Sequence, residues 1–201
     1  MTRADLALLL AIDGSASVGY DEFDLIARAT GRALCGTDAA AALVGEDRVT
    51  WAAVLLFSGP ASQALTVGWT RLDSGAALFE FSQSVTDMSR VVRPGTTALG
   101  SALLAADAAF SRLPGRALRK VLDIAGDGRS NDGPRPAPIR DRLVAGGLII
   151  NGLCVLHEEP DLVASYTREV VGGPGAFALA TPDLAGFEAA MTRKLTREAT
   201  V

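Results

Sequence analysis

Asp13, Ser15 and Ser17 occupy alternate positions in the stretch AIDGSASVG, directly after the apolar run LALLLAI. A carboxylate and two hydroxyls in this order offer three oxygen donors from one short loop. Donors of the same kind stand at two further element boundaries. Thr96 and Thr97 precede an apolar helical pattern that begins at Leu99, and Asp127 follows the strand-like VLDIAG. With no histidine or cysteine among them, these residues describe a hard oxygen site suited to Mg²⁺ or Mn²⁺ rather than zinc, Ca²⁺ being a poorer fit. Mg²⁺ takes about six oxygens at roughly 2.0–2.1 Å and sheds water reluctantly, which suits hydroxyls in direct contact and carboxylates acting through bound water.

Residues so far apart can meet only if the fold carries them to one edge. Short apolar runs alternate with helical patterns along the chain, the signature of an α/β fold with a mostly parallel sheet. ADLALLLAI (Ala4 to Ile12) reads as a strand buried on both faces. Phe23, Ile26, Ala27, Thr30 and Leu34 then mark a helix face, with Asp21 and Glu22 at its positive N-terminus. Asp47 to Gly59 is predicted as a second strand, and Gln63 to Trp69 follows too soon for a crossover, so it pairs antiparallel at the sheet edge. SGAALFEFSQSV and the Ala-rich segment from Leu99 to Phe110 are helices. Arg119 to Gly128 is a fourth strand. A proline-crowded loop precedes a helix over Ile139 to Ala145, and Leu148 to Leu156 is the fifth strand. A helix over Leu162 to Val171, the turn GGPG, the short strand AFALA and a terminal helix from Leu184 complete the pattern. The expected architecture is a doubly wound, Rossmann-like six-stranded sheet with one antiparallel edge strand and helices on both faces. No repeat or linker interrupts it, so residues 1–201 read as a single domain. In such sheets ligands bind at the carboxyl ends of the strands, where the winding reverses, and the three donor-bearing loops leave at boundaries of that kind.

Composition narrows the choices. With 201 residues, 49% hydrophobic and 21% charged, the chain can bury a core and is not a disordered chain. A net charge of −4, with only Lys120 and Lys194 as lysines, gives no electrostatic reason to expect nucleic acid. No apolar run approaches the roughly 20 residues of a membrane span. Arg3 and the run Leu6 to Ile12 are too weak a leader pattern, so the run reads as a strand and the chain as given carries no export signal. The compartment therefore stays open: cytoplasmic is the expectation for the chain as given, and periplasmic or secreted where a leader has been removed. Cys35 and Cys154 lack metal or disulfide spacing and read as two small buried hydrophobes.

Other polar residues read as structure. Asp123 interrupts a strand that should be buried, so it needs a partner or a supporting role beneath the site. His157 reads as a surface residue at a strand end, and Glu158, Glu159 and Asp161 as a solvated loop. Asn131 and Asp132 read as loop polars that can rim the donor face. No G-x-S-x-G elbow accompanies the histidine, and no phosphate loop or dinucleotide fingerprint is present.

Alone, D-x-S-x-S is an ordinary post-strand cap. Together, DGSAS (Asp13 to Ser17), TTALG (Thr96 to Gly100) and GDG (Gly126 to Gly128) resemble the metal-ion-dependent adhesion site (MIDAS) of von Willebrand factor type A domains. LDIAGDG, INGL and GGPGAF further resemble an uncharacterised bacterial family of such domains. The resemblance implies that Ser15 and Ser17 ligate the ion directly, that Asp13 and Asp127 anchor it largely through waters, and that Thr97 rather than Thr96 matches the family threonine, because Gly100 follows three residues later. It also implies a non-enzymatic module whose ion captures an Asp or Glu of a partner protein. The pattern departs at Gly126, where the family carries threonine. Two other functions fit the same donors: a metal-assisted hydrolase or phosphatase, which would lack the second aspartate two residues after Asp13 that a phosphoaspartyl enzyme carries, and a structural domain with a vestigial or stabilising metal site.

Overall fold

The computed structural model describes residues 3–45 and 47–200. The strands are β1 (Ala4–Asp13), β2 (Thr50–Phe57), β3 (Gln63–Leu72), β4 (Ala117–Gly126), β5 (Leu148–Val155) and β6 (Ala178–Thr181). They form one sheet of order β3-β2-β1-β4-β5-β6, parallel throughout except for β3, which pairs antiparallel with β2 at the edge. The first strand sits centrally because it is apolar on both faces. Leu6, Leu8, Leu10 and Ile12 pack under one helical layer while Ala7, Leu9 and Ala11 pack under the other.

The first layer contains α1 (Tyr20–Leu34), α2 (Thr37–Val44), α3 (Gly75–Thr86) and α7 (Phe187–Thr200). The second contains α4 (Leu99–Phe110), α5 (Pro136–Ala145) and α6 (Leu162–Glu169). The winding reverses at β1, whose neighbours β2 and β4 lie on opposite sides. The crevice between the ends of β1 and β4 is thus the expected ligand position. Because α3 and α4 lie on opposite faces, residues 87–98 must cross the sheet's upper edge. There Ala16 N–H donates to Gly95 O (2.9 Å) and Ala98 N–H to Ser58 O (3.0 Å), tying this crossing to the ends of β1 and β2.

Several boundaries differ from expectation. The strand expected over Asp47 to Gly59 spans only Thr50–Phe57, since Asp47 turns with φ +60°. The helix begins inside the proline-crowded loop, at Pro136 rather than Ile139. Pro136 occupies the first helical position, where its fixed φ helps and its missing N–H costs nothing. Leu184–Gly186 forms a 3₁₀ turn, and α7 begins at Phe187. α2 was not foreseen, because TDAAAALV has no polar face to set a period. Cys154 is buried, as expected, and burial pushes its thiol up to about 12. Cys35 is not: it caps the C-terminus of α1 and is exposed, and both thiols are free.

Asp123 finds its partner across the first layer. Lys194 of α7 pairs with both Asp123 and Glu198, the latter at 2.5 Å, and all three are buried. Asn151 donates from Nδ2 to Glu198 Oε1 (2.8 Å) and accepts the Phe177 N–H (3.0 Å). Two carboxylates share one ammonium, and burial, followed by the Asp123 charge, raises Glu198 from 4.5 to about 8. A raised acid holds a proton in the folded state that the unfolded chain has already lost. Its stabilising contribution is complete below about pH 4.5 and fades as pH rises toward 8. Stability therefore falls with rising pH, by at most about 1.4 kcal/mol per unit from this group. Urea midpoints at pH 6 and 8 should show a slope that Glu198→Gln flattens; every other group titrates in both proteins, so the difference belongs to Glu198.

Candidate metal centre

The loop after β1 folds on its own first residue. Asp13 Oδ1 accepts the Ser15 N–H at 2.7 Å, an Asx turn that brings residues 14–17 back over the strand end. The Ser15 and Ser17 hydroxyl oxygens then stand 3.1 Å apart, and Ser17 donates to Asp127 Oδ1 at 2.9 Å, joining two loops 110 residues apart in sequence. From outside, the Arg90 guanidinium donates to the carbonyls of Gly14 (2.7 Å), Ser15 (2.5 Å) and Val18 (2.7 Å). A Cβ on Gly14 would lie 2.7 Å from Val92 Cγ2, so a larger residue there would push Val92 aside. No local pattern marks Arg90, whose role appears only when the crossing segment lies over the β1 loop.

The two threonines part company. Thr97 is buried, and its hydroxyl lies 3.7 Å from where a Cβ on Gly128 would sit, beside Asp127. Thr96 is exposed and donates to Asp132 Oδ2 at 2.8 Å, away from that cluster. Asn131 braces Thr97 through Oδ1, which accepts its N–H (2.9 Å), and through its own N–H, which donates to Thr97 O (2.9 Å). Asn131 and Asp132 therefore tie the threonine loop to the β4 loop.

Asp13 and Asp127 are 1% and 3% exposed, and each keeps one buried oxygen, Oδ2, with no hydrogen-bond partner. Burial raises the Asp13 carboxyl to about 7, with the Asp127 charge adding to the rise against the hydrogen bonds from Ser15. Burial also raises Asp127, while Ser17 and His157 pull it down. Two neighbouring carboxylates keep unmet acceptors even with Arg90 and His157 nearby, an arrangement that a hard cation would complete in charge and in bonds. Among the described residues no group of three or more His, Cys, Asp or Glu gathers; hydroxyls provide the rest of this donor set.

His157 and the acidic loop depart from the sequence reading. The His157 side chain is half-buried and lines a narrow cavity with Asp13, Asp127 and Phe187, close enough to Asp127 for its charge to be felt there. Glu159 accepts from both the backbone N–H (3.0 Å) and the guanidinium of Arg129, whose other arm reaches Asp161 at 2.8 Å. The acidic cluster is thus one half of an ion-pair network that holds the loop after Asp127. GGPG is a turn, with Gly173 and Gly175 at positive φ.

The model of a family described as a protein of unknown function (DUF1194) matches residues 3–201. No curated protein matches the chain. Among solved structures, the chain is similar to proximal thread matrix protein 1 from the mussel byssus, with a TM-score of 0.72, 16% identity and coverage of 98% of this chain and 47% of that one. The same mussel protein is also known with a zinc-occupied MIDAS motif, with a TM-score of 0.69. A von Willebrand factor type A protein from Catenulispora acidiphila gives 0.66 at 16% identity, covering 98% of this chain and 43% of that one. The vWF domain of the type V pili tip protein Mfa5 from Porphyromonas gingivalis gives 0.64 at 11% identity, covering 98% and 96%. The chain spans about half the length of the mussel protein and less than half of the Catenulispora one. At these identities the likeness speaks for the fold. With its central β1, its winding reversal and a family match over almost its whole length, the chain belongs to the DUF1194 family of proteins of unknown function and is built on the von Willebrand factor type A fold.

Proposed function

We propose that this chain is a single von Willebrand factor A-like domain that binds a protein partner through a divalent metal ion, without catalysis. The observation that carries this reading is the pair of buried, unpartnered oxygens on Asp13 and Asp127, in a cluster that also holds the Ser15 and Ser17 hydroxyls. Ser15, Ser17 and Thr97 would hold the ion through their hydroxyls, and Asp13 and Asp127 would balance its charge. Mg²⁺ or Mn²⁺ fits the all-oxygen donor set best. When bound, the ion would offer an open position to an Asp or Glu of the partner. Around it, Arg90 and the Asx turn keep the serine loop from relaxing, and Asn131 keeps Thr97 in place. The zinc-occupied site of the mussel relative supports a metal-holding role for this fold, and a pilus tip protein among the neighbours supports protein binding.

Pull-down with the purified protein tests the reading. Bound protein should be released by chelator, recovered with Mg²⁺, and competed off by millimolar acetate. Capture indifferent to chelator, or metal-stimulated turnover of p-nitrophenyl phosphate lost in Asp13→Ala, would replace it with the structural or hydrolytic alternative.

A further inference from the structure

Tyr166 of α6 is fully buried, and its hydroxyl has no hydrogen-bond partner. The ring lies against two glycines on neighbouring strands. A Cβ on Gly152 of β5 would stand 2.8 Å from Tyr166 Cδ1, and one on Gly126 of β4 would stand 2.7 Å from the Tyr166 hydroxyl. That same Cβ position is 3.1 Å from Asp13 Oδ2, the oxygen that also lacks a partner. A donor without an acceptor and an acceptor without a donor thus stand less than about 6 Å apart across the bare backbone of Gly126, an approach that a side chain at residue 126 would block.

We propose that the Tyr166 hydroxyl is a positioning residue for the metal centre, donating to Asp13 Oδ2 across one water. The inference rests on the metal reading of the site. With Oδ1 held by the Ser15 N–H and Oδ2 by Tyr166, both oxygens of Asp13 have a fixed direction, so the carboxylate is aimed before any ion arrives. Outer hydrogen bonds of this kind orient the groups that hold a metal and are worth about 10- to 100-fold in affinity. Departure from threonine at position 126 acquires a reason: here the hydroxyl reaches the site from α6, and a side chain on β4 would collide with it.

Calorimetric titration with Mn²⁺, paired with melting of the metal-free protein, tests this on wild type, Tyr166→Phe and Tyr166→Phe/Gly126→Ser. Tyr166→Phe should melt like wild type without metal, because the lost hydroxyl has no partner in the chain, yet bind Mn²⁺ about 10- to 100-fold more weakly. The double variant should regain affinity, since removing the phenolic oxygen makes room for a serine hydroxyl beside Asp13. Unchanged Mn²⁺ affinity in Tyr166→Phe overturns the inference while leaving the metal reading intact. A loss of affinity that matches a loss of metal-free stability, and that adding Gly126→Ser does not recover, assigns Tyr166 to packing alone, which also overturns it. Wild type that takes up no Mn²⁺ sinks the metal reading itself, and this inference with it.

Discussion

Mn²⁺ titrated into the wild-type protein should give a saturable heat, and Ser15→Ala/Ser17→Ala should give none. The double substitution removes two of the proposed oxygen donors and also the hydrogen bond from Ser17 to Asp127 Oδ1, leaving that carboxylate with no side-chain donor. Asp127→Asn gives a sharper contrast. It too should abolish binding, but because the Asp127 charge raises Asp13 and is itself disfavoured by burial, the metal-free variant should be more stable than wild type, by on the order of 1 kcal/mol. A gain in stability joined to a loss of ligand marks a site whose charges are assembled for something absent from the chain. Thr97→Val should weaken binding, whereas Thr96→Val should leave it unchanged, since the Thr96 hydroxyl is engaged with Asp132 on the exposed side. Equal heats from wild type and the serine double variant would refute the ligand assignment.

Lys194→Met should destabilise the protein by about 3–5 kcal/mol, measured as a shift in the urea midpoint at pH 7. Methionine nearly matches the length of the lysine stem, so little packing is lost. What goes is the one cation between Asp123 and Glu198, both buried, one of which has no other hydrogen-bond partner. Breaking a buried pair by removing one member costs more than replacing the whole group. Lys194→Met/Asp123→Leu/Glu198→Met should therefore recover most of the loss. A single variant as stable as wild type would mean that water reaches the network and offsets its desolvation.

Local patterns carried much of the architecture. The two-faced apolarity of Leu6 to Ile12 placed β1 at the sheet centre, the short connection after Phe57 made β3 an antiparallel edge, and the position of Asp13, Ser15, Ser17 and Asp127 at strand ends pointed to one crevice. Each of these features is readable from a few consecutive residues, where the periods of strand and helix act directly. α2 stayed hidden because an alanine run has no face, and the start of α5 because proline reads as a breaker except in a first helical turn.

The sequence by itself determined that a doubly wound sheet would present oxygen donors of a hard-cation type at its winding reversal. Only the tertiary structure decided which groups stand around them. Arg90 clamps the serine loop from a crossing segment, Lys194 answers Asp123 from a helix 71 residues on, and Tyr166 fills the space left by Gly126 and Gly152 on adjacent strands. Each of these pairings depends on strand order and helix placement. An unpaired buried charge or an empty glycine site states in the sequence only that a partner is needed; the packing of distant elements chooses it.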